Sequence, residues 1–206
     1  MKVLFLVYHG FSEVSGISKK IHYQVKGLRE NGHEVHLCYY DFTNDGSRCR
    51  FINDKIIKNY GKGRMAALRQ RLDYSCIYDY CIAQGIEFVY ARSFQNANPV
   101  LIHFFKRLRK AGIRCVTEIP TYPYDKEWSF KEFPYKIKDE WNRKKLKKYV
   151  DRIVVVGEGY DKIFNVPVIN IKNGIDFNSI PCNPINITND INMISVSSYN
   201  ERHGWD

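Results

Sequence analysis

Val3 to Val7 is an uninterrupted apolar run, and a run of that length reads as a strand buried on both faces, as in a parallel sheet. After the stretch His9 to Gly16, apolar residues recur at Ile17, Ile21, Val25 and Leu28, the spacing of one helical face. Asn31-Gly32 supplies a left-handed stop. Val35 to Tyr40 reads as the next strand, completing a βαβ unit. Asp41 to Gly61 is polar and turn-rich around one short strand at Phe51 to Ile57. Met65, Leu68, Leu72 and Cys76 then carry a single helical stripe to about Ala83, and Ile86 to Tyr90 is the third clear strand.

Asn98-Pro99 opens a helix, with a capping side chain followed by proline at the first helical position. Leu101, Phe105 and Leu108 form its stripe, Gly112 closes it, and Ile113 to Ile119 is a strand. Pro120, Pro123 and Pro134 punctuate an aromatic loop. Tyr135 to Val150 reads as a basic amphipathic helix, and Ile153 to Val156 and Val166 to Ile171 as strands, the last ending at Asn173-Gly174. Strand and helix alternate throughout, which predicts a Rossmann-like, doubly wound parallel α/β sheet over residues 1–180. Residues 181–190, rich in Pro, Asn and Thr, read as a linker. Residues 191–206 read as the first strand of a second domain, the rest of which is expected beyond Asp206.

The 206 residues are 44% hydrophobic and 15% aromatic, enough for a packed core and against a disordered chain. The first apolar run lacks a cleavage site, and no stretch approaches a membrane-spanning length, so the chain reads as soluble. Six scattered cysteines without a Cys-x-x-Cys pair suit reduced thiols in the cytoplasm, and no Cys/His spacing suggests a metal site. The formal charge of +10 favours an anionic partner. Half of that excess falls between Lys131 and Arg152, where nine cations face four acids. A solvated helix face is the commoner reading of such a run. With Phe133, Ile137 and Trp141 on another stripe, the functional reading is contact with an anionic membrane.

Several segments, taken in order, resemble family 4 retaining glycosyltransferases of the GT-B fold. They are Met1-Lys2-Val3-Leu4-Phe5-Leu6, Ser15-Gly16-Ile17-Ser18, and Leu28-Arg29-Glu30-Asn31-Gly32-His33-Glu34-Val35. They continue with Val150-Asp151-Arg152-Ile153-Val154-Val155-Val156, Asn173-Gly174-Ile175-Asp176, and the stretch from Ile194 to Asp206. The resemblance spans nearly the whole chain. It implies the N-terminal, acceptor-side half of an enzyme that moves a sugar, of hexosyltransferase type, from a nucleotide sugar to a saccharide or lipid-linked acceptor with retention of configuration. It implies no metal and no cofactor. The site would lie between two domains, so the chain alone is expected to be inert. A cytoplasmic location follows, peripheral at the inner face of the membrane where the acceptor is a lipid. The sequence departs from the family pattern in having Gly16 without a second glycine, Ser198 and His203 where basic residues are common, and Glu118-Ile119-Pro120 where a histidine is usual.

Gly16 lies between the first strand and its helix. There it is either a plain turn glycine or the place where backbone N–H groups meet an anion, which the resemblance turns into the donor diphosphate. His203 matches a loop position near donor phosphates in the family. Arg92, Ser93, Glu118, Tyr122, Tyr124 and Asp125 follow strand ends, where open α/β sheets bind ligands, and polar aromatic loops there suit a sugar. Glu118 is the candidate catalytic carboxylate, for positioning rather than nucleophilic attack; an outward-facing strand-end acid is the alternative. Asn173, Gly174 and Asp176 match the family's turn at the domain junction, although Asn-Gly forms turns unaided. The rival reading from another class, a non-catalytic basic module for nucleic acid or another anionic partner, lacks a helix-turn-helix or single-strand RNA motif, so nucleic acid is not expected. A dinucleotide-binding enzyme is disfavoured by the missing Gly-x-Gly-x-x-Gly.

Overall fold

A computed structural model describes residues 1–12, 15–92, 97–124, 133–174 and 176. The chain divides into the units Met1–Ile175 and Asp176–Asp206. The expected linker and second-domain strand, and with them His203, lie outside the described residues, as do Ser93 and Asp125.

In the first unit β1 (Lys2–Val7) is central, paired in parallel with β2 (Glu34–Phe42) on one side and β5 (Phe88–Arg92) on the other. Beyond β5 lie β6 (Arg114–Ile119), β7 (Arg152–Val156) and β9 (Val166–Ile171), all parallel. Beyond β2 the chain turns back through β3 (Arg48–Ile52) and β4 (Lys55–Gly61), both antiparallel, and β8 (Lys162–Ile163) borders β9. The order is β4-β3-β2-β1-β5-β6-β7-β9-β8. This is the mainly parallel, Rossmann-like α/β sheet that the alternation of apolar runs predicts.

Its parallel centre is buried on both faces, which is why Val3 to Val7 is apolar without alternation. On one face α1 (Gly16–Glu30) lays Ile21 and Val25 against Val3, Phe5, Val35 and Leu37. On the other, α3 (Ser75–Gln84) and α4 (Pro99–Lys110) pack Ile77, Cys81, Leu101 and Phe105 against Leu4, Leu6 and Val89. The start of α4 follows its sequence: Asn98 Oδ1 accepts the Leu101 N–H at 2.9 Å, and Pro99 occupies a position where no N–H is needed.

Three elements differ from the sequence reading. The single strand at Phe51 to Ile57 is a hairpin whose two-residue loop, Asn53-Asp54, takes positive φ at both positions. That geometry matches strand twist, and the loop is tied down by its own side chains: Asn53 Oδ1 accepts from Leu37 N and Asp54 Oδ1 from Tyr39 Oη. The helix expected from Met65 to Ala83 is two, α2 (Gly63–Leu72) and α3. Asp73 Oδ1 accepts the Ser75 N–H at 2.9 Å, offering the backbone an alternative to continuing the helix. The basic helix runs as α5 (Phe133–Arg143) and a 3₁₀ turn at Leu146–Lys148, because Asn142 Nδ2 donates to Lys138 O and the Lys145 N–H closes a three-residue turn on Asn142 O.

Cys38, Cys49, Cys76, Cys81 and Cys115 are free thiols. Burial pushes Cys38, Cys81 and Cys115 up to about 12, so each stays protonated at neutral pH. Iodoacetamide is therefore expected to label these three in denaturant and to leave them nearly untouched in the folded chain. Site-resolved mass spectrometry showing rapid native labelling of all three would contradict the packing described. No helix among the described residues is long and apolar enough to cross a membrane.

Candidate functional site

The sheet's order reverses between β1 and β5: the chain leaves β1 toward β2, and later strands are added on the opposite side. In open α/β sheets a crevice forms at the C-terminal ends of the strands flanking such a point. Here that rim carries His9 and Gly10 after β1, the start of α1, Arg92 at the end of β5, and Glu118 near the end of β6.

Glu118 is fully buried, so it is not an outward-facing acid. Its Oε1 accepts from Lys20 Nζ and from Arg92 NH1, both at 3.1 Å, and its Oε2 from Tyr90 Oη at 2.7 Å. Parallel pairing of β5 with β6 sets Arg92 beside Glu118, and the two-residue period of β5 puts Tyr90 on the same face as Arg92. Lys20 arrives from the second turn of α1. Burial first, then the neighbouring carboxylate, pushes the Tyr90 phenol well above its ordinary value, so it remains a hydrogen-bond donor. With three donors, Glu118 is engaged as an anchor for cations. The Lys20 and Arg92 side chains are 17% and 11% exposed, and two cations against one carboxylate give this cluster one positive charge in excess, with the Asp41 carboxylate beside Gly10 on the same rim.

Ser15 caps α1 through Oγ, which accepts the Ser18 N–H at 3.3 Å, and the Ser12 N–H donates to Ser18 Oγ at 3.1 Å. Gly16 begins α1 with open space where a side chain would start and without a left-handed φ, so the turn itself does not require glycine. Gly10 is the opposite case: a Cβ there would lie 2.7 Å from the Asp41 carboxylate. His9 Nδ1 donates to Gly10 O at 2.8 Å, and its Nε2 is buried with no hydrogen-bond partner among the described residues.

Tyr122, Tyr124, Asn173 and Gly174 do not join this cluster. Tyr124 is only 5% exposed, and its hydroxyl donates to Asp139 Oδ2 at 2.7 Å, making it a core residue rather than a surface for a sugar. Tyr122 meets Tyr160 edge to face at 5.2 Å in the aromatic group around Phe164. Asn173 and Gly174 are exposed beyond β9, and Asp176 is half-buried. Sequence reasoning missed Lys20, Tyr90 and His9. The alternation of Tyr90 with Arg92 along one strand was the available signal for the second of these.

Among the described residues, no three His, Cys, Asp or Glu side chains are grouped to hold a metal ion. The arrangement can bind an anion by charge and by the helix start. Compared with protein-family models, with curated proteins and with solved structures, the chain matches none.

Proposed function

We propose that this chain is the acceptor-side α/β domain of a retaining glycosyltransferase that uses a nucleotide sugar. The observation that carries the reading is the pair of cations, Lys20 and Arg92, anchored by buried Glu118 at the sheet's reversal point beside the start of α1. A departing nucleoside diphosphate is the anion such a rim would stabilise, and charge-assisted bonds of this kind contribute about 1.5 to 3 kcal/mol each. Glu118 then acts as a positioning residue, consistent with chemistry that needs no protein nucleophile. The resemblance of the segments quoted above to family 4 enzymes supplies the sugar-transfer part of the reading. In it the acceptor is a saccharide or a lipid-linked saccharide, a second α/β domain faces the rim, and the 206-residue chain alone is inert.

Lys20→Met tests it. Glu118 keeps Arg92 and Tyr90, so the fold is retained, and the rim loses one cation. In a protein that includes the second domain, the dissociation constant for a uridine or guanosine diphosphate sugar is expected to rise at least about tenfold by calorimetric titration. Gly16→Val should weaken binding similarly by filling the open space over the helix start. Unchanged affinity in both folded variants would remove the rim from donor binding, and absence of sugar transfer from any nucleotide sugar would remove the enzyme reading.

A further inference from the structure

Helix α2 is turned inside out for a surface helix. Its inward side is small and polar: Ala66 and Gln70 are buried, with Gln70 Nε2 donating to Cys49 O at 3.1 Å. Its outward side is apolar, with Met65, Leu68 and Leu72 exposed by 61%, 49% and 43% at positions i, i+3 and i+7. Arg64, Arg69 and Arg71 are exposed on the flanks of that stripe, and the helix contains no acidic residue. Leu68, Arg69 and Leu72 continue into an open groove of about 610 Å³ against Lys58 and Tyr60 of the edge strand β4. Asp73, just past the end of the helix, also lines that groove, with its carboxylate held by Ser75 N–H and Tyr60 Oη and with Lys58 on the same lining.

We infer that the outward face of α2 docks on an anionic membrane surface, with Met65, Leu68 and Leu72 at the acyl boundary and the arginines among lipid phosphates. The argument is complementarity of both kinds at once. A second copy of this chain would cover the leucines but set arginine against arginine. A nucleic acid would take the arginines but give the aliphatic stripe nothing to stack on, since the stripe has no aromatic ring. This inference is independent of the sugar-transfer reading, and its test uses no sugar donor.

The test is flotation of the 206-residue chain with vesicles of phosphatidylcholine alone or mixed with phosphatidylglycerol. Binding is expected only to the anionic vesicles and is expected to weaken with salt. Reversing all three arginines, R64E/R69E/R71E, should reduce partitioning by more than about tenfold, since each cation at such a surface is worth about fivefold. Met65→Ser with Leu68→Ser and Leu72→Ser should also abolish flotation while leaving the circular dichroism unchanged, because these side chains are exposed in the fold. Helix α5 provides the comparison, with Ile137 and Trp141 exposed beside lysines. Flotation that survives both α2 variants and is lost in Trp141→Ala would overturn the assignment. So would failure of the unaltered chain to float, or its equal binding to both vesicle types. Retention on an acidic polypeptide or on nucleic acid without any on anionic vesicles would also overturn it.

Discussion

Glu118→Ala is expected to cost about 3 kcal/mol of folding stability. The carboxylate is fully buried, and its two oxygens collect Lys20, Arg92 and Tyr90. Removing it leaves two cations together without their common anion, and a buried phenol without its acceptor. Lys20 and Arg92 each retain some contact with water, so the loss belongs at the lower end of the roughly 3 to 5 kcal/mol seen when one partner of a buried pair is deleted. Glu118→Gln keeps an acceptor for Tyr90 and should cost less. Urea denaturation of the two variants checks the ordering. A loss under about 1 kcal/mol in Glu118→Ala would place the cluster among ordinary surface ion pairs and weaken the case for a rigid, preorganised cationic rim.

This cluster also shows where sequence reading stops. The strands were legible because a parallel sheet buried on both faces forces continuous apolar runs, as in Val3 to Val7 and Ile153 to Val156. The start of α4 was legible because Asn98 and Pro99 act within one turn. Arg92 and Glu118 could be placed on one rim because both close strands of the same direction. Lys20 could not, since its partner lies 98 residues away and nothing in an amphipathic helix distinguishes a lysine that reaches a buried carboxylate from one that reaches water. The hairpin at Asn53-Asp54 was missed for a related reason: its positive φ values are held by contacts to Leu37 and Tyr39 on the neighbouring strand rather than by a glycine. The break at Asp73 depends on which of two competing local hydrogen-bond patterns the tertiary packing selects. Tyr124 read as a loop residue because its partner, Asp139, is inside a helix whose charged residues otherwise suggest exposure.

Arg50 has no sequence signal either, and among the described residues it is the largest side chain that the fold buries completely. Its NH2 donates to Gln70 O at 2.8 Å and its guanidinium lies 5.4 and 5.5 Å from the ring centres of Tyr8 and Tyr40, but Nε and NH1 find no acceptor among the described residues. Two orphaned charged donors cost about 1 to 3 kcal/mol each. The contacts with the tyrosine rings return roughly 0.5 to 2 kcal/mol, and the one hydrogen bond to a carbonyl returns a similar amount, about 1.5 to 3 kcal/mol. Volume is the other consideration. Truncation to alanine would open a cavity in the layer between β3 and α2, a change that costs about 2 to 5 kcal/mol for large side chains. The two effects separate in a pair of variants. Arg50→Met keeps most of the volume and removes the charge, and is expected to be about 1 kcal/mol more stable than the original chain. Arg50→Ala removes both and is expected to be at least about 2 kcal/mol less stable. Denaturation midpoints of both decide between charge and volume. If Arg50→Met is destabilised as much as Arg50→Ala, the guanidinium is held by favourable interactions stronger than its two unpaired donors, and the tyrosine cage around it is a stabilising cation site.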